Sequence, residues 1–138
     1  MKRIYFIALL PLIIVSFLST NSYAQEKPEK VFLKDVEEAL KSASSKELSK
    51  FLYDRVEIKL DNQRKEYSIN QAEIVLKDFF QSQPVTEADF MHDGNSAGGV
   101  IYAIGSYESG NSTFRLMVKA KKYSDDYKVY HLEFTKER

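Results

Sequence analysis

The sequence predicts an α+β domain in which two to three helices pack on one face of a curved antiparallel sheet of about six strands. Three observations carry this. Residues 70–83, NQAEIVLKDFFQSQ, place an apolar stripe at helical spacing in mid-chain. Before that stripe the apolar period changes from helical to alternating, and after it only alternating segments follow. The turns joining those later segments are short, which makes successive strands antiparallel neighbours.

The first 24 residues read as a secretory signal rather than as part of the fold. Lys2 and Arg3 precede an apolar run over residues 4–18, broken only by Pro11 and Ser16. Ser22-Tyr23-Ala24 then sets small residues at the −3 and −1 positions, so cleavage is expected after Ala24. The run is short for a membrane span, and the polar Ser19-Thr20-Asn21-Ser22 suits a cleavage region better than an anchor. The chain has no cysteine, which excludes a lipid-modified N-terminus, thiolate metal sites and disulfides. Taking 24 from 138 residues leaves 114, enough for one domain, residues 25–138, resting on its hydrophobic core. The mature chain keeps 18 basic residues against 20 acidic ones, a net charge of −2 that argues against a nucleic-acid binder.

Pro28 suits a first helical turn, and Phe32, Leu33, Val36, Ala39, Leu40 and Ala43 then mark one helical face, with Lys34, Asp35, Glu37, Glu38 and Lys41 largely opposite. Residues 42–45 break that helix, and Ser44 with Glu47 forms a capping box for a short second one through Leu48, Phe51 and Leu52. Val56, Ile58 and Leu60 alternate with Glu57 and Lys59, as in a half-buried strand. Asp61-Asn62-Gln63 turns the chain, and residues 65–69 return with Tyr67 and Ile69 on one side. In the mid-chain helix the stripe is Ala72, Val75, Leu76, Phe79 and Phe80. Asn70 is the expected N-cap, Glu73 its capping-box partner and Pro84 the stop.

After Pro84, residues 85–91 form a diluted strand pattern and residues 92–99, HDGNSAGG, a glycine-rich turn. Residues 99–108 set Val100, Tyr102 and Ile104 against Ile101 and Ala103, with Gly105 permitting a bulge. Residues 112–122 set Phe114, Leu116, Val118 and Ala120 against Arg115, Met117, Lys119 and Lys121. Residues 127–135 set Tyr130, Leu132 and Phe134 against Val129, His131 and Glu133.

This order of elements resembles the NTF2-like (cystatin-like) superfamily, in which a bent sheet wraps a helix in a cone. Within it the chain is similar to the exported bacterial family DUF4783, through SSKELSKFL (44–52), NQAEIVLKDFF (70–80), YAIGSY (102–107), NSTFRL (111–116) and YKVYHLEF (127–134). The resemblance implies the cone fold and an exported location, periplasmic or extracellular, without implying a chemistry. The superfamily includes enzymes, ketosteroid isomerase and scytalone dehydratase among them, that place Asp, His or Tyr inside the cone, but fold alone does not transfer activity.

Tyr102, Arg115, Met117, His131 and Glu133 are the candidate ligand-binding residues. His131 and Glu133, two apart in a strand, share a face that strand pairing brings near Arg115 and Met117. That group reads as a cross-strand polar cluster or as the lining of a cavity. Asp89 and His92 flank the glycine-rich turn, but two ligands without a third do not make a metal site, and no cofactor fingerprint is present. The tyrosines at 102, 107, 127 and 130 read as sheet packing or as a stacking surface. The first expectation for function is a non-catalytic exported domain that binds an unidentified small molecule, peptide or protein at the cone mouth or sheet face. A cofactor-independent isomerase or dehydratase using His131 or Asp89 with Tyr102 is the second, and a homodimer or assembly subunit built through the sheet face is the third.

Overall fold

The computed structural model describes residues 25–138, and the expected signal segment 1–24 lies outside the described residues. Two helices, α1 (Pro28–Lys41) and α2 (Ser45–Ser49), precede a hairpin of β1 (Leu52–Leu60) and β2 (Gln63–Ser68). Then come α3 (Ile69–Ser82) and four strands, β3 (Glu87–Ser96), β4 (Val100–Ser109), β5 (Ser112–Tyr123) and β6 (Asp126–Lys136). They form one six-stranded sheet in the order β2-β1-β6-β5-β4-β3. The architecture is the expected α+β layer of three helices on a six-stranded sheet. Among the described residues no helix is long and apolar enough to cross a membrane.

One strand pairing differs from expectation. The hairpin and the meander are antiparallel, but β1 pairs with β6 in parallel, through Glu57↔His131, Ile58↔Leu132, Lys59↔Glu133 and Leu60↔Phe134. The sheet is therefore mixed. Short turns fix only neighbours in sequence, whereas this seam joins strands more than seventy residues apart and leaves no local signal.

Three local expectations are corrected. The cap of α3 is Ser68, whose Oγ accepts from Gln71 N while Gln71 Oε1 accepts from Ser68 N. Ser68 is still paired with Arg55, so the chain leaves the sheet there and Asn70 already lies inside the helix. The turn expected over residues 92–99 is mostly strand: β3 runs on through Ser96, and only Ala97–Gly99 turns. A bulge in β3 between Phe90 and His92 faces Gly105, where an added Cβ would overlap the Asp89 carbonyl. In β6, a register shift opposite Lys119 and Ala120 sets Tyr130 between paired residues. That bulge moves Val129 onto the core face with Leu132 and Phe134, and puts Tyr130 with His131 and Glu133.

The core lies between the helices and one sheet face. Leu33, Val36 and Leu40 of α1, Leu48 of α2, and Leu76, Phe79 and Phe80 of α3 meet Val56, Ile58, Leu116, Val118, Leu132 and Phe134. Phe79 packs its ring 4.6 Å from Phe134 and 5.4 Å from Phe114, and Tyr107 stands 5.4 Å from Phe134. The cone interior is thus filled by aromatic rings. Tyr107, fully buried, donates to Gln83 O at 2.6 Å at the end of α3, and burial pushes its phenol up to about 12, so it stays a donor.

Candidate functional site

Strand alternation sends the polar members of β1, β5 and β6 to the sheet face away from the helices. Cross-strand register aligns them in rows. Tyr102, Lys119, His131, Glu57 and Glu66 form one row, and Ile104, Met117, Glu133, Lys59 and Arg64 the next. Arg115 and Thr135 begin a third. Together they shape a basin of ≈ 420 Å³ lined by Glu57, Arg64, Arg115, Met117, Lys119, Tyr130, His131 and Glu133.

The floor of the basin is a chain of polar groups. His131 Nδ1 lies 2.8 Å from Glu57 Oε1, and its Nε2 lies 3.2 Å from Glu133 Oε2. His131 is 7% exposed and Glu133 6%. Ionised carboxylates only accept, so both bonds exist together only when both ring nitrogens carry protons. Burial alone would raise the Glu133 carboxyl. Hydrogen bonds from Thr135 at 2.9 Å, from His131 and from Lys59 at 3.2 Å, with the Lys59 charge, outweigh burial and hold it at about 2. The rim is cationic: Arg115 lies 3.7 Å from Glu133 Oε1 and Arg64 3.6 Å from Glu57 Oε1.

Four of the five expected residues, Arg115, Met117, His131 and Glu133, therefore come together. Tyr102 does not. It shares a row with Lys119, but its ring leans toward the sheet edge over Gly94, where a Cβ would meet its Oη at 2.6 Å. Asp89 is also apart, on β3 three strands from β6, with Lys41 Nζ at 3.7 Å. His92 is exposed on the same edge strand, and among the described residues no three His, Cys, Asp or Glu side chains gather as a metal site. Glu57 and Arg64 line the basin, and Lys59 bonds Glu133 beside it, without having been singled out from the sequence. The available signal was complementarity, since Glu57 and Lys59 alternate on β1 as His131 and Glu133 do on β6.

The arrangement can bind, and its imidazole is not turned free to the open basin. A general base needs an unoccupied lone pair within reach of a substrate proton, and both imidazole nitrogens face carboxylates. The tyrosine, aspartate and histidine of an isomerase-like site do not converge here, and the cone interior that would hold a substrate is packed.

The model of a domain of unknown function, DUF4783, matches residues 33–135. The chain is similar to the crystal structure of a DUF4783 family protein from Bacteroides uniformis, with 25% identity and a TM-score of 0.72, over 76% of this chain and 96% of that one. A DUF4783 family protein from Bacteroides ovatus is similar at 25% identity and a TM-score of 0.71, over 75% and 94%. An NTF2-like protein of unknown function from Shewanella baltica shares the fold, with a TM-score of 0.60 at 16% identity, over 80% and 92%. No curated protein matches the chain.

Proposed function

The chain belongs to the DUF4783 family, and on that footing we propose that it is an exported, non-catalytic domain that binds its ligand on the open face of its sheet. The observation that carries this reading is the convergence of Arg115, Met117, His131 and Glu133 on one basin, while Phe79, Phe80, Tyr107, Phe114 and Phe134 fill the cone. The His131 clamp supports the non-catalytic part, and the pattern of residues 1–24 supports export. The occupant is a small molecule, or a peptide or protein segment that presents one side chain to the basin.

Native mass spectrometry of the full chain, expressed in an exporting bacterial host and compared with its denatured mass, tests the reading. The expected result is a chain starting at Gln25 that carries an extra bound mass, lost in Met117→Trp, which fills the basin. A retained N-terminal segment overturns cleavage after Ala24. A bound mass unaffected by Met117→Trp, or an empty monomer, overturns the basin. An empty dimer separated by Met117→Trp shifts the reading to assembly through this face.

A further inference from the structure

Charge is layered through the basin by depth. Glu133 and the imidazole lie underneath, 8% and 9% exposed at the side chain, while Glu57 at 38%, Arg115 at 54% and Arg64 at 57% stand higher. Glu133 is engaged at both oxygens, Oε1 by Lys59 and Thr135 and Oε2 by His131, and Glu57 at Oε1 by His131. Both guanidiniums are barely engaged, because their contacts of 3.6 and 3.7 Å exceed hydrogen-bond length and each fork keeps its N–H donors for another partner. The basin's ion pairs engage Lys59, Arg64 and Arg115, which leaves Lys119 without one among the described residues. The described chain as a whole is slightly acidic, so this concentration of outward donors belongs to the basin and not to the overall charge.

The walls are different in kind. Met117 stands between Arg115 and Lys119 along β5. Tyr130 closes the end, and the Lys121 ammonium holds its ring in place from 5.5 Å. The basin thus combines three cationic arms with an apolar side.

We propose that the ligand of this basin is a small oxyanion with a flat apolar body, its carboxylate or phosphate gripped by Arg64, Arg115 and Lys119 and its body laid on Met117 and Tyr130. The proposal rests on the basin being the binding site. Guanidinium forks match planar carboxylates and phosphate edges through paired N–H donors, and the Glu57 and Glu133 carboxylates draw both forks over the basin at 3.6 and 3.7 Å. Binding of this kind weakens as salt screens the arms.

The test is a residue-resolved NMR titration of residues 25–138 with benzoate, with benzamide as its uncharged twin, and with inorganic phosphate. Benzoate is expected to shift Met117, Tyr130 and His131 at least tenfold more tightly than benzamide. Arg115→Gln and Lys119→Gln are each expected to weaken it about fivefold with the amide spectrum otherwise preserved. Tighter binding of phosphate than benzoate assigns the anion to the phosphate class, and the reverse assigns it to carboxylates. Equal binding of benzamide and benzoate, unchanged affinity in both variants, or no shift in the basin with any probe overturns the oxyanion. A bound mass in the native spectrum that proves neutral or cationic, yet is lost in Met117→Trp, overturns the oxyanion alone and leaves the binding site standing.

Discussion

His131 has two carboxylates to satisfy with one ring, and its loss is felt mainly by its neighbours. His131→Leu leaves Glu133 buried with Lys59 and Thr135 but one bond short, and is expected to cost about 2–3 kcal/mol in urea unfolding. Adding Glu133→Gln to that variant should cost less than the same change made in the wild type, because the two residues share one network. The Glu133 carboxyl stands at about 2 against an ordinary 4.5, so its stabilisation is complete above pH 4.5 and is lost as pH falls toward 2. Urea midpoints measured from pH 6 down to pH 2 should fall steeply in that window, and Glu133→Gln should flatten the fall. At this scale the sequence was informative where strand alternation alone decided. The side-by-side placement of His131 and Glu133 followed from their spacing, and strand order brought Arg115 and Met117 to them. Tyr102 misled because register sets where a side chain starts, while its direction depends on Gly94 across the strand, which offers no Cβ in its way.

The mid-chain helix shows what an element's sequence does and does not reveal. Its apolar stripe is written in residue spacing, and Ala72, Leu76, Phe79 and Phe80 are buried as that spacing requires. Its start is set by where the preceding strand lets go. Ser68→Ala is therefore expected to cost about 1 kcal/mol in thermal or urea unfolding, while Asn70→Ala changes stability by less than about 0.5 kcal/mol. The reverse ranking would restore the cap to Asn70. Strand phase behaves similarly. In β5 the alternation runs without interruption and the faces follow from it, whereas in β6 one extra residue at Tyr130 exchanges the positions of Val129 and Tyr130. A bulge has no composition of its own, so the alternating pattern alone misassigned both residues.

The whole molecule is a helix layer on a six-stranded sheet with an aromatic interior. Removing one ring tests how completely that interior is filled: Phe79→Ala is expected to lower stability by about 3–5 kcal/mol, because four neighbouring rings cannot all collapse into the gap. A loss under about 1 kcal/mol would mean a loosely filled cone with room for a ligand. Composition and periodicity were sufficient for the layer architecture, since both are local properties summed along the chain. They were silent on the seam between β1 and β6, and Glu57 and Arg64 of the basin, with Lys59 beside it, were overlooked for the same reason.

That seam also orders events in time. The hairpin precedes most of the sheet in the chain, yet among the described residues its only sheet neighbour outside the hairpin is the last strand, Asp126–Lys136. Until those residues arrive the two halves of the sheet have no edge to share, so closure waits for β6 and then bears the entropy of a long loop. A chain truncated after Tyr123 should accordingly show no cooperative unfolding transition by circular dichroism, while the complete chain folds in one slow step. A polypeptide that remains unclosed until its last strand appears is one that a translocation channel can still thread.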